Sequence, residues 1–246
     1  MLRTIKKNRT SMGNTAFLLS MMSAAVMITA GGYSVSAQDY DKSGYCPITK
    51  GMTLEYANYD ADGHKTGSYV MTVKAVSGTL EKGTVTFDQY FYDEDGRPLF
   101  DDNGGNLPME VTVGGPDGTV SRMSDVGKVM KVQDIMSKGD ASSVPSGLKA
   151  GMTIPDGKIK VQIGMVSANI LTQSRQVVEQ KSITVPAGTF DCFLLKENQV
   201  TKQPIGSRTE RVETWYAPGI GCVKQAVYDK KGRLDHTQEL VSLQFE

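Results

Sequence analysis

Ile183-Thr-Val-Pro-Ala-Gly-Thr-Phe-Asp-Cys192 and, further on, Trp215-Tyr-Ala-Pro-Gly-Ile-Gly-Cys-Val-Lys224 share one grammar. In each, a run of β-branched or aromatic residues meets a corner of Pro, Ala and Gly, and a second such run follows. Proline presets the first turn position and glycine supplies the backbone angles that close it, so each stretch reads as strand, corner, strand. Phe190 to Leu195 is almost continuously apolar, which predicts a central strand.

The pattern extends outward in both directions. Lys158-Ile-Lys-Val-Gln-Ile-Gly-Met165 alternates, with Ile159, Val161, Ile163 and Met165 on one face and Lys158, Lys160 and Gln162 on the other, as in a strand with one wet face. Thr84 to Tyr92 places Val85, Phe87 and Phe91 together. Met52–Tyr59, Ser68–Val76, Met109–Val113, 169–183, 209–216, 222–228 and 234–245 complete a series of roughly ten strands with short turns. The expected fold class is mainly β: a large curved antiparallel meander, half-barrel or barrel-like, because so many strands curl rather than stay flat. One short helix is expected over Arg122–Ser137, where Met123, Val126, Val129, Met130, Ile135 and Met136 partly suit helical spacing, although Gly127 and the valines oppose it.

Tyr59-Asp-Ala-Asp-Gly63, Tyr92-Asp-Glu-Asp-Gly96 and Tyr228-Asp-Lys-Lys-Gly232 each lie between two strand-like runs. The aspartate bonds turn backbone and the glycine takes positive φ, so all three read as hairpin loops. A calcium loop needs further ligands and a distal bidentate Glu, and both are lacking. Lys50-Gly-Met-Thr-Leu54 and Ala150-Gly-Met-Thr-Ile154 echo one another, which implies that two strands are entered through the same glycine geometry.

Arg3, Lys6, Lys7 and Arg9 precede an apolar run from Ala16 to Ala30, then small residues up to Ala37. Basic, apolar and small-residue regions in that order describe a secretory signal peptide, and the run is shorter than the ~20 residues of a membrane span. Residues 1–37 are therefore expected to be removed, with cleavage near Ala37, leaving 38–246 as a single β-rich domain in the periplasm or secreted. The 27 Lys+Arg and 27 Asp+Glu of the whole chain become 23 against 27. A mildly acidic product without a basic cluster argues against nucleic-acid binding, and no later stretch is long and apolar enough to span a membrane.

Cys46, Cys192 and Cys222 allow one disulfide and one free thiol in an oxidising compartment. Cys46 with Cys192 is the favoured pair, as a staple from the start of the mature chain to the later sheet. Their spacing and the two histidines fit no zinc pattern. No nucleophile elbow, phosphate loop or dinucleotide fingerprint is present. Cys192 lies in an apolar run that should bury and silence its thiol, and the acids fall mostly in turns. No catalytic, cofactor or metal residue is assigned, and the protein is expected not to be an enzyme. Met123, Met130 and Met136 are candidates for lining an apolar cavity beneath a helix, since Met adapts to irregular pockets.

Thr184 to Cys192, Trp215 to Lys224 and Tyr228 to Gly232 resemble, in order, elements of the TapB-like family of exported bacterial proteins. The resemblance implies an envelope-associated β-protein with no catalytic residues to transfer, and it makes Cys222, where the family more usually carries an aliphatic residue, the unpaired thiol. Two functions fit this reading: a non-enzymatic domain that binds another envelope component, or a carrier of a lipid or other apolar ligand.

Overall fold

Among the described residues, thirteen strands join in one sheet, and every ladder between them is antiparallel. The computed structural model describes residues 42, 44–79, 82–99, 106–115, 118–123, 135–139, 144–145, 147–163, 166–203 and 206–246. The strands are β1 (Met52–Asp60), β2 (Lys65–Gly78), β3 (Gly83–Tyr92), β4 (Met109–Gly115), β5 (Gly118–Met123), β6 (Ile135–Gly139), β7 (Thr153–Ile154), β8 (Gly157–Ile163), β9 (Val166–Val185), β10 (Gly188–Lys202), β11 (Ser207–Ala217), β12 (Gly221–Tyr228) and β13 (Leu234–Phe245). Neighbours in sequence are neighbours in the sheet, apart from β7, which pairs with the middle of β9. β13 returns to pair with β1 along its whole length. The sheet is thus a meander curled back on itself, as its strand number requires.

It is not a plain barrel, and the opening stretch of the sequence shows why. β12 and β13 pair only as far as Lys224 with Glu239, so Leu240 to Phe245 have β1 on one side and no β12 partner on the other. The tip of the β9–β10 hairpin, Val185-Pro-Ala-Gly188, turns in at this gap, and the Ala187 amide donates to the Leu240 carbonyl at 3.3 Å. Ile183, Ala187 and Phe190 pack against the main core, which holds Val185, Met52, Leu54 and Leu240. The Pro-Ala-Gly corner is a plug for the sheet's own gap.

The second corner docks the lead. Pro218, Gly219 and Ile220 connect β11 to β12, the Gly219 amide donates to the Gly44 carbonyl at 2.6 Å, and Ile220 is fully buried. Gly221 has φ +87°, and a Cβ there would sit 3.0 Å from the Tyr45 carbonyl oxygen, so this crossing needs glycine. A second cluster, with Tyr45, Leu148, Ile154, Val177, Leu195 and Tyr216, covers the other face of β10 and β11. Cys192 belongs to one cluster and Leu195 to the other, so β10 is buried on both faces, and its place between β9 and β11 makes it a central strand, as its continuous apolar run predicts.

The alternation expected of β8 and β3 is present: Ile159 and Val161 are buried and Lys158, Lys160 and Gln162 exposed, while Val85, Phe87 and Phe91 share the core. Ile163 and Met165 lie outside the described side chains. The echo at 50–54 and 150–154 is one geometry used twice. Gly51 and Gly151 have φ +82° and +83°, and the Met52 and Met152 amides each donate to the carbonyl three residues back at 3.0 Å.

The expected helix is corrected. Its ends are strand: Arg122 and Met123 close β5, and Ile135 to Ser137 open β6, with Met123 opposite Ile135 and Arg122 opposite Met136. Residues 124–134, Met130 among them, lie outside the described residues. Valine-rich sequence with a central glycine has weak helix propensity, and the ladders on either side win. The three methionines therefore share no described helix face over a cavity.

Candidate functional site

Polar side chains that face the inside of the curled sheet distinguish this molecule, and they gather towards one end. Along β1, Met52, Leu54, Tyr56 and Asn58 alternate inward, and Tyr69 and Met71 on β2 and Gln89 and Phe91 on β3 continue the same face. The first part is apolar and tightly filled. Tyr56 and Tyr69 stack at 4.9 Å, Phe91 lies 5.8 Å beyond, and the Tyr56 hydroxyl donates to the Cys222 carbonyl at 2.9 Å. Burial raises the pKa of both tyrosines, so they stay neutral hydrogen-bonding groups.

One row further along, the lining is amide and hydroxyl. Thr214, Gln225, Gln238 and Asn58 stand opposite one another across β11, β12, β13 and β1, and the row ends at Gly67 on β2. Gln225 donates to the Thr214 hydroxyl at 3.1 Å, and Gln238 to the Tyr69 hydroxyl at 3.1 Å. The Asn58 amide nitrogen is buried with no partner, as is the Gln89 carbonyl oxygen.

Beside this row sits a buried ion pair. Arg175 and Glu197 are 2% and 5% exposed, with Nε to Oε2 at 2.9 Å. Gln199 donates to the other Glu197 oxygen at 2.9 Å, and Arg175 Nη1 donates to the Pro155 carbonyl at 3.2 Å. A bulge places Arg175 there, because Ser174 and Arg175 together fill the gap between the pairs Gln176–Lys196 and Gln173–Asn198. Ser174 has φ +54° and is the one non-glycine residue with positive φ among those described; its amide donates to Asp156 at 2.9 Å. Sequence reading missed this cluster. The signal was a change of parity: Ala168, Ile170 and Thr172 are buried at even positions, Arg175 and Val177 at odd ones.

The three Tyr-Asp-x-x-Gly turns are hairpin loops, all at the end of the sheet where β1, β3 and β12 finish. Oδ1 of Asp60, Asp93 and Asp229 accepts amides two and four residues on, at 2.8–3.0 Å. Gly63, Gly96 and Gly232 have φ of +82°, +79° and +78°. These backbone bonds lower the pKa of all three aspartates, that of Asp229 to about 2 with help from the Arg233 side chain. Asp60, Asp62 and His64 hold ligand atoms within 4.8 Å of one another. The same turn forms with Arg97 and Arg233 in the place of His64, so hairpin closure accounts for the grouping.

The disulfide expected between Cys46 and Cys192 is not formed; all three cysteines are free and buried. Cys222 pairs with Tyr216 on β11, and Tyr216 with Phe193 on β10. A full strand thus separates Cys222 from Cys192, about 9–10 Å and beyond the ~7 Å Cα limit of a disulfide. The Cys46 sulfur is turned to the Pro47 carbonyl at 3.8 Å. Burial raises the pKa of all three thiols, that of Cys192 to about 12, which leaves them inert.

Two crystal structures share the architecture. One is described as a "putative exported protein with YmcC-like fold" from Bacteroides fragilis, with TM-score 0.61 and 22% identity over 82% of this chain and 99% of that one. The other, a "putative lipoprotein" from Parabacteroides distasonis, has TM-score 0.61 and 19% identity over 83% of this chain and 100% of that one. No functionally curated protein matches the sequence. The TapB-like label is not confirmed by these matches. The family model that matches spans residues 49–240, from the lead into β1 to the middle of β13, and the chain belongs to the DUF3108-like family.

Proposed function

We propose that this protein is a non-enzymatic binding protein of the cell envelope, exported after cleavage near Ala37, that recognises another envelope component through its outer surface. The observation that carries the reading is the filled apolar part of the interior. Met52, Leu54 and Leu240 are fully buried, Tyr56, Tyr69 and Phe91 are packed ring on ring, and the 185–188 tip occupies the gap between β12 and β13. Side chains already fill the space that a lipid tail would need, which counts against the apolar-ligand carrier. The two structural neighbours, a "putative exported protein" and a "putative lipoprotein", support an extracytoplasmic place.

Native mass spectrometry of the protein purified from the envelope of its own cells tests this. The expected species begins at Gln38 and carries a non-covalent protein adduct. A co-purifying lipid at one-to-one stoichiometry would refute the reading in favour of the carrier.

A further inference from the structure

We propose that the row Asn58, Gln238, Gln225 and Thr214 binds a small neutral hydroxyl-rich ligand, a sugar or polyol, inside the curled sheet. Four strands contribute to the row, and its members are adjacent cross-strand partners, so their side chains stand ~5 Å apart on one face. Asn58, Gln238 and Gln225 are all more than nine-tenths buried. A core position of this kind ordinarily carries an apolar residue or a fully bonded polar one. Here the Asn58 amide nitrogen has no partner. Gln225 and Gln238 each spend one of their two N–H donors within the protein, which leaves the other.

The row thus offers the Asn58 amide group and the second N–H of Gln225 and of Gln238, with no charge among them. A hydroxyl both donates and accepts, so adjacent hydroxyls of a sugar complement the set, while an ion finds no counter-charge in the row. Gly67 is the residue opposite Asn58 on β2, so its cross-strand partner there adds no side chain to the asparagine's flank. The site is separate from the outer surface invoked above, and either can fail without the other.

The test is a titration of the 15N-labelled protein with D-glucose, N-acetyl-D-glucosamine and glycerol, read on the side-chain NH2 resonances of Asn58, Gln225 and Gln238. Saturable shifts of these resonances are expected with at least one probe. Asn58→Leu and Gln225→Leu should each weaken that binding about tenfold or more, and Asn58→Leu should leave the thermal midpoint of the free protein unchanged or raised, since it removes an unpaired buried amide. No shift with any of the three probes would overturn the proposal. So would a large fall in the Asn58→Leu midpoint together with shifts that persist in Gln225→Leu, since the row would then be water-bridged structure.

Discussion

Removing the Glu197 carboxylate tests the buried network most directly. In Glu197→Ala, Arg175 keeps the Pro155 carbonyl but loses the oxygen at 2.9 Å from Nε, and Gln199 loses the acceptor of its amide. At 2% exposure the guanidinium cannot recover that loss from water. Stranding one member of a buried pair costs about 3–5 kcal/mol. For a chain of this length each kcal/mol is worth roughly 2–4 °C in melting temperature, so the variant should melt about 6–20 °C lower. Urea unfolding followed by circular dichroism should show a lower midpoint at unchanged slope, because the surface exposed on unfolding is the same. The pair is buried, so raising salt should narrow the gap little. The double variant Arg175→Met with Glu197→Leu removes both charges and should recover most of the loss, since apolar replacement of a buried pair is often neutral or stabilising. A loss below ~1 kcal/mol in Glu197→Ala, or a double variant less stable than the single, would refute the claim that these charges hold each other in the interior.

Two further outcomes are expected. The Asp229 pKa is lowered to about 2, first by the Arg233 backbone amide and then by the Arg233 side chain. A lowered carboxylate pKa contributes stability that is complete above the unfolded value near 4 and is lost as pH falls towards 2. Asp229→Asn should therefore flatten the fall in melting temperature between pH 4 and 2, and equal slopes in both proteins would exclude the turn as its source. With all three thiols free and buried, a thiol reagent at pH 8 should label none in the folded protein and three after denaturation, and a denatured count of one would reinstate a disulfide.

The strands were legible because burial on one face writes period two into the sequence, as in Ile159 and Val161 against Lys158 and Lys160. The three Asp turns were legible for a local reason: an aspartate accepts amides two and four residues on, and a glycine takes positive φ, all within five residues. The helix expected at 122–137 shows the limit of this logic. Apolar spacing there is ambiguous between periods, and what decides is whether a partner strand stands alongside, as Ile135 does for Met123. The Arg175–Glu197 pair was hidden for a similar reason. Twenty-two residues separate its members, and a single bulge at Ser174 brings them to one face.

Sequence alone determined a mainly antiparallel β fold and the chemistry of each turn, since each depends on residues close along the chain. Tertiary structure decided what the Val185-Pro-Ala-Gly188 corner is for. Its sequence says only that the chain reverses there. That it fills the gap where β12 leaves β13, with the Ala187 amide on the Leu240 carbonyl, depends on strands that begin more than thirty residues further along the chain. Which polar side chains would be buried was decided in the same way, because the closing of β13 onto β1 sets Asn58 beside Gln238, and no local pattern records that neighbour.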